Sequence, residues 1–263
     1  PDSATQPELQ RAADVINHEL AHMWFGDLVT MKWWNGLWLN EAFATFMEMR
    51  CTDAFRPSWH RWTDFGLSRT AAFDTDSLAS TRPIEYEVVS PADADGMFDI
   101  LTYEKGAAVV RMLEQYLGED RFRAGIRRYM VKHQFGNAET TDLWDALEEE
   151  TGEPVRRIMD SWIFQGGFPL VSTSLSADGR QVTFSQERFG YEGGDDADEQ
   201  EWAIPLQFRW KPVGGMPITD RVLIESGSVT VDLDAEAEWV IGNAEGSMAP
   251  PPVVKVTGGL SIS

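Results

Sequence analysis

His18-Glu19-Leu20-Ala21-His22, followed after eighteen further residues by Glu41 in Trp38-Leu39-Asn40-Glu41-Ala42-Phe43, is the stretch on which the reading turns. Residues i and i+4 share a helix face, so both imidazoles can point at one metal ion. The run around them, Glu8 to Phe25, sets Leu9, Ala13, Val15, Ile16, Leu20 and Met23 at near-helical spacing, which supplies the helix that the motif needs. The residues between His22 and Glu41 pass through Gly26 and Trp33-Trp34. They leave room for one helix to end and a second to present a carboxylate. Two histidines and a glutamate make a three-ligand zinc set with a fourth position open to water. The ligands leave a charge of about +1, which helps to bring the pKa of a bound water down to about 7. Glu19 is turned about 100° round the helix from His18. It therefore leaves the ligand face and can take the water's proton. Glu48, seven residues after Glu41 and on the same face, either orients a ligand imidazole or is a solvated helix charge. The chain has only four histidines, the others being His60 and His133. An ordinary pair of helix histidines is the alternative, and the carboxylate beyond the loop disfavours it.

Outward from this stretch the chain divides in two. Trp38 to Cys51, Phe98 to Leu117 with Gly118 as a stop, and Glu119 to His133 read as helices. Thr141 can cap the next helix, and Glu153-Pro154 opens another towards Gln165, because proline suits the first helical position. After Gly166-Gly167 the period changes to two. Leu170 to Leu175, Gln181 to Phe189, Trp202 to Trp210, Arg221 to Ile224, Ser228 to Leu233 and Glu238 to Ile241 read as short strands. Turns at Asp178-Gly179 and Gly214-Gly215 separate them, and strands at this spacing suggest a small β-sandwich. The acidic segment Glu192 to Glu201 reads as a solvated hairpin loop rather than a calcium site, since it lacks a calcium-loop pattern. Pro250-Pro251-Pro252 marks an extended tail.

Composition bounds the function. Among 263 residues, 22 are basic and 43 acidic, a formal charge of −21 that argues against non-specific binding to nucleic acid or an anionic membrane. The 11 tryptophans and 14 phenylalanines supply enough apolar mass for a packed core. No apolar run reaches the roughly 18 residues of a membrane span, and no signal-peptide pattern opens the chain. The single Cys51 excludes an internal disulfide and a multi-cysteine zinc site. A reducing, cytoplasmic setting is the expectation.

The motifs and their order resemble the gluzincin zinc aminopeptidases, the aminopeptidase N group whose relatives include leukotriene-A hydrolase. The matching segments are His18 through Glu41, Thr81-Arg82-Pro83-Ile84 and Phe98-Asp99-Ile100-Leu101-Thr102-Tyr103-Glu104-Lys105-Gly106. Further along come Gly136-Asn137-Ala138, Asp142-Leu143-Trp144 and Trp162-Ile163 leading to Gly167-Phe168-Pro169. The resemblance spans roughly residues 8 to 240. It implies that His18, His22 and Glu41 hold one zinc ion, that Glu19 is the general base, and that Tyr103 donates a hydrogen bond to the tetrahedral oxyanion. Without that context Tyr103 reads as a helix aromatic of the core.

The implied fold is α+β: the helical half of a thermolysin-like zinc peptidase domain over residues 1–166, a small β-sandwich over 167–246, and a tail of uncertain status over 247–263. The implied function is metallo-aminopeptidase action on peptides with a free N-terminus. Two rivals remain: an endopeptidase or epoxide hydrolase on the same scaffold, and a zinc-bearing, non-catalytic peptide-binding or scaffold module. Family members carry a Gly-x-Met-Glu-Asn segment upstream of the zinc motif, and the 17 residues before His18 do not contain it. The expectation is a fragment that binds zinc, packs its zinc half against the parent's missing domains, and is weakly active or inactive alone.

Overall fold

In a computed structural model, residues 3–190, 200–244 and 255–256 are described. Helix α1 (Gln6–Ala21) begins with a reciprocal cap: Glu8 Oε2 accepts from the backbone N–H and the hydroxyl of Thr5 at 2.7 and 2.8 Å. Pro7 sits in the first turn, where no N–H is needed. The helix stops at Ala21, short of the expected Phe25. His22 still has helical backbone angles as the cap residue, and Gly26 at φ 145° turns the chain immediately behind it. That turn leads into β1 (Val29–Met31), which pairs in parallel with β2 (Gly136–Ala138). Three-residue strands containing Gly and Asn are below what periodicity can reveal.

Helix α2 (Trp38–Phe55) has Trp38, Leu39, Ala42, Phe43, Phe46 and Met49 buried around it. A helix apolar on every side belongs inside a core, and α1 lies against it. Helix α3 (Arg61–Asp76) and the short α4 (Pro91–Asp95) follow. Neither is marked in the sequence by a clean apolar stripe, and α3 carries Gly66 in its middle. The expected helix from Phe98 to Leu117 is two elements. Leu101–Lys105 form a π turn, and α5 (Gly106–Leu117) continues from it. Helices α6 (Glu119–His133), α7 (Thr140–Thr151) and α8 (Val155–Ile163) complete the helical part. Glu139, not Thr141, caps α7, with Asp142 Oδ2 accepting from the Glu139 N–H at 2.8 Å.

The strands are β3 (Pro169–Leu175), β4 (Gln181–Arg188), β5 (Ile204–Pro212), β6 (Ile218–Ile224), β7 (Ser228–Asp232), β8 (Ala237–Gly242) and the two-residue β9 (Lys255–Val256). One sheet runs β7-β4-β3-β9 and the other β6-β5-β8. Alternate residues Val171 and Thr173 of β3 and Val182 and Phe184 of β4 turn inward. The rings of Phe184 and Phe208 meet 5.0 Å apart between the sheets. Helical and strand parts share one core: Trp162 Nε1 donates to Ala203 O at 3.0 Å, and Phe168 packs between Phe73 and Phe189. The chain is thus an α+β structure with its helices first. The acidic loop expected at 192–201 lies almost wholly, and the proline tract wholly, outside the described residues.

Candidate metal centre

The last turn of α1 and the first turn of α2 face each other, and the polar residues on that seam form one cluster. His18 Nε2 and His22 Nε2 lie 3.2 and 3.3 Å from the same oxygen, Glu41 Oε2. The candidate ligand atoms of His18, His22 and Glu41 all fall within 4.8 Å of one another. They form the one three-residue group of this kind among the described residues. The outer nitrogens are held as well. His18 Nδ1 is 3.1 Å from Glu48 Oε2, and His22 Nδ1 is 3.0 Å from Phe25 O. The early end of α1 therefore has a use: the turn through Phe25 brings a carbonyl back onto His22.

Such partners fix ring orientation and leave both Nε2 atoms facing Glu41, the arrangement of a metal-binding imidazole with a supporting acceptor. The donor set of two imidazoles and one carboxylate suits zinc. Of the two readings of Glu48, the solvated charge gives way, since its carboxylate bonds His18 and is only 19% exposed. His60 and His133 serve elsewhere: His60 caps α3 in the left-handed region at φ 50°, and His133 packs on Tyr129.

Electrostatics follow from this packing. Burial opposes protonation of His18, but the Glu41 and Glu48 carboxylates outweigh it and raise its pKa to about 9. Glu41 itself holds the His22 imidazole above its usual value against the effect of burial. Burial acts to raise the Glu41 carboxyl, yet hydrogen bonds from His18 and His22 bring it down to about 2. A cation bound here would compete with protons for the same imidazole nitrogens.

Tyr103 projects from the π turn onto this seam. Its ring lies nearly parallel to that of His18, with centroids 6.2 Å apart. Burial and the facing carboxylates of Glu41 and Glu19 push its phenol up, so it stays a neutral donor. Glu19 is exposed on α1, off the ligand face, and its charge acts on the Tyr103 phenol. His18, His22, Glu41 and Tyr103 thus come together at one place, with Glu19 exposed on the same helix. Glu104 was missed. Its buried Oε2 has no hydrogen-bond partner, and burial followed by the Glu48 charge raises its pKa to about 7. Only its position beside Tyr103 could have drawn attention to it. A separate cavity of about 740 Å³, walled by Leu20, Trp24, Phe43, Phe46, Phe122 and Met130, includes none of the three ligand candidates.

Residues 1–162 match the Peptidase family M1 domain. The chain belongs to peptidase family M1. Its M1 relatives include the Tricorn protease-interacting factor F2 of Thermoplasma volcanium, 48% identical over 198 residues, 75% of this chain and 25% of that protein. The leucyl aminopeptidase of Saccharolobus solfataricus is 39% identical over 246 residues, 93% of this chain and 30% of that protein. Aminopeptidase M1-D of Oryza sativa subsp. japonica is 43% identical over 204 residues, 78% of this chain and 23% of that protein. The M1 chain described here spans about a quarter of the length of the curated relatives it matches. No helix among its described residues is long and apolar enough to cross a membrane.

Proposed function

We propose that this chain carries the zinc centre of a metallo-aminopeptidase that removes N-terminal residues from peptides, acting in a reducing compartment. The observation behind it is the convergence of His18 Nε2, His22 Nε2 and Glu41 Oε2, with each histidine's other nitrogen already engaged. Relatives described as aminopeptidases support the substrate class. In this reading residues 1–166 are the helical half of a thermolysin-like domain, and the strands that follow form its neighbouring sandwich.

His18, His22 and Glu41 hold one zinc ion, with Glu48 fixing the His18 ring. Bound zinc supplies Lewis acidity at the scissile carbonyl. The Glu19 carboxylate accepts the proton of the attacking water and passes it to the departing amine. The Tyr103 hydroxyl donates to the oxyanion as charge develops there. Its raised pKa serves this role, because a donor must keep its proton at neutral pH. A non-catalytic zinc module would need no carboxylate at Glu19, which binds neither imidazole and is open to solvent.

The test is Glu19→Gln in the zinc-loaded protein. It should retain zinc and lose about 10²–10⁴-fold in kcat on an aminoacyl reporter. A near-normal kcat would return Glu19 to the status of a surface charge.

A further inference from the structure

Lys105 closes the π turn, and its side chain is fully buried. Its Nζ lies 2.7 Å from Asp76 Oδ2 and donates to Gly167 O at 3.0 Å. Asp76, the last residue of α3, is equally buried. Its Oδ1 accepts from the Gly167 N–H at 2.8 Å and from the Thr81 hydroxyl at 2.7 Å. Gly167 offers both its N–H and its C=O to the pair at φ 83°, in the left-handed region that favours glycine. The end of α3, the π turn and the step into β3 therefore meet on one buried ion pair.

The neighbouring residue acts in the same sense. A Cβ on Gly106 would lie 2.6 Å from Ala42 Cβ, next in the chain to Glu41. Glycine there lets the end of the π turn close against α2 beside the ligand carboxylate. At the turn's other end Arg82 bonds Asp99 and Thr102.

A buried pair of charges is a weak source of net stability, because desolvation offsets most of the attraction. A π turn is also an uncommon departure from the α-helix, found mostly at functional sites. The feature lying between these anchors is Tyr103, two residues before Lys105, with its ring against His18. We propose that the Asp76–Lys105 ion pair, seated on the Gly167 backbone, is a positioning device that holds the π turn so that the Tyr103 hydroxyl faces the reacting carbonyl. The proposal rests on the zinc aminopeptidase reading and adds to it two residues that touch neither metal nor substrate.

The test uses the zinc-loaded, full-length protein and the paired substitution Lys105→Met with Asp76→Leu. Removing both charges together avoids leaving either one buried alone. The expected result is normal zinc content, a KM within about twofold of the parent and a kcat lower by roughly 10–100-fold, the scale of a misplaced catalytic group. Adding Tyr103→Phe to this variant should cost little more, since the pair acts through that hydroxyl. Amides of residues 101–106 should exchange with deuterium faster, while those of α2 stay protected. A folded, zinc-loaded variant with parental kcat would overturn the proposal, and so would a full additional loss on Tyr103→Phe. Should the paired variant not fold, Lys105→Met with Asp76→Asn removes both charges while keeping an acceptor for Gly167 and Thr81, and the same KM, kcat and exchange readings decide. If the parent protein itself shows no aminopeptidase turnover, the catalytic reading fails, and unchanged exchange at residues 101–106 would then refute the clasp separately.

Discussion

At the scale of single residues, His18 shows how one side chain is set by two carboxylates. Its raised pKa, about 9 against an ordinary 6.5, means that the metal-free cluster stabilises the fold fully below about pH 6.5. That contribution disappears as pH rises through about 9. Glu41, held near 2 against 4.5, contributes in the opposite sense: fully above about pH 4.5, and progressively less as pH falls towards 2. Zinc must displace the imidazole proton, so its apparent affinity should rise about tenfold per pH unit between pH 7 and 9 for each proton released. Calorimetric titration of chelator-stripped protein in buffers of different protonation enthalpy measures this directly. Binding without proton release would contradict the His18 assignment. Glu48→Ala should lower zinc affinity by about 10–100-fold while leaving a site that fills at high zinc. Metal analysis across a zinc series reads that, and an unchanged affinity would reduce Glu48 to a bystander.

At the scale of elements, the helices legible in the sequence were those whose apolar residues follow the helical period or surround the helix, as in α5 and α2. The boundaries that shifted did so for local reasons. The α1 run continues apolar to Phe25, but the chain must turn at Gly26 to return a carbonyl to His22. The π turn was invisible, because five residues with one extra backbone atom set per turn keep the composition of an α-helix. Element contacts also explain particular glycines. On α6, a Cβ at Gly125 would come within 2.5 Å of Leu147 Cδ2 on α7. Gly125→Ala should therefore destabilise by about 1–3 kcal/mol despite its better helix propensity. Denaturant titration of Gly125→Ala, alone and with Leu147→Ala, checks this, and a stabilised single variant would show the interface to be looser than it looks.

At the scale of the whole molecule, one core runs from α2 through α8 into both sheets, with Trp162 and Trp202 at the passage. The outer face of α1 contrasts with this interior: Val15, Ile16 and Leu20 are all at least half exposed, as is Met23 in the turn that follows. The chain spans about a quarter of the length of its relatives, and exposed apolar side chains grouped in this way mark a surface suited to binding. Residues 1–263 alone should then turn over an aminoacyl reporter far more slowly per bound zinc than a protein of the relatives' full length. Loss of substrate alignment can cost a large share of the roughly 7–11 kcal/mol that positioning contributes to a reaction. Comparable turnover per zinc would show that this stretch aligns its own substrate.

The candidate ligand set was readable because its geometry is local. Four residues along a helix bring His18 and His22 to one face, and Glu41 needed only a return of the chain. The alternation from Leu170 onward likewise marked strands, because one side of each faces a core. Only tertiary structure decided the rest. Glu48 changed from one of two readings to the partner of His18 through packing of α1 on α2. Asp76, Lys105 and Gly167 are separated by up to 91 residues, and nothing in their spacing announces that they meet. A buried ion pair depends on which surfaces exclude water, and that is a property of the packed molecule rather than of any segment of its chain.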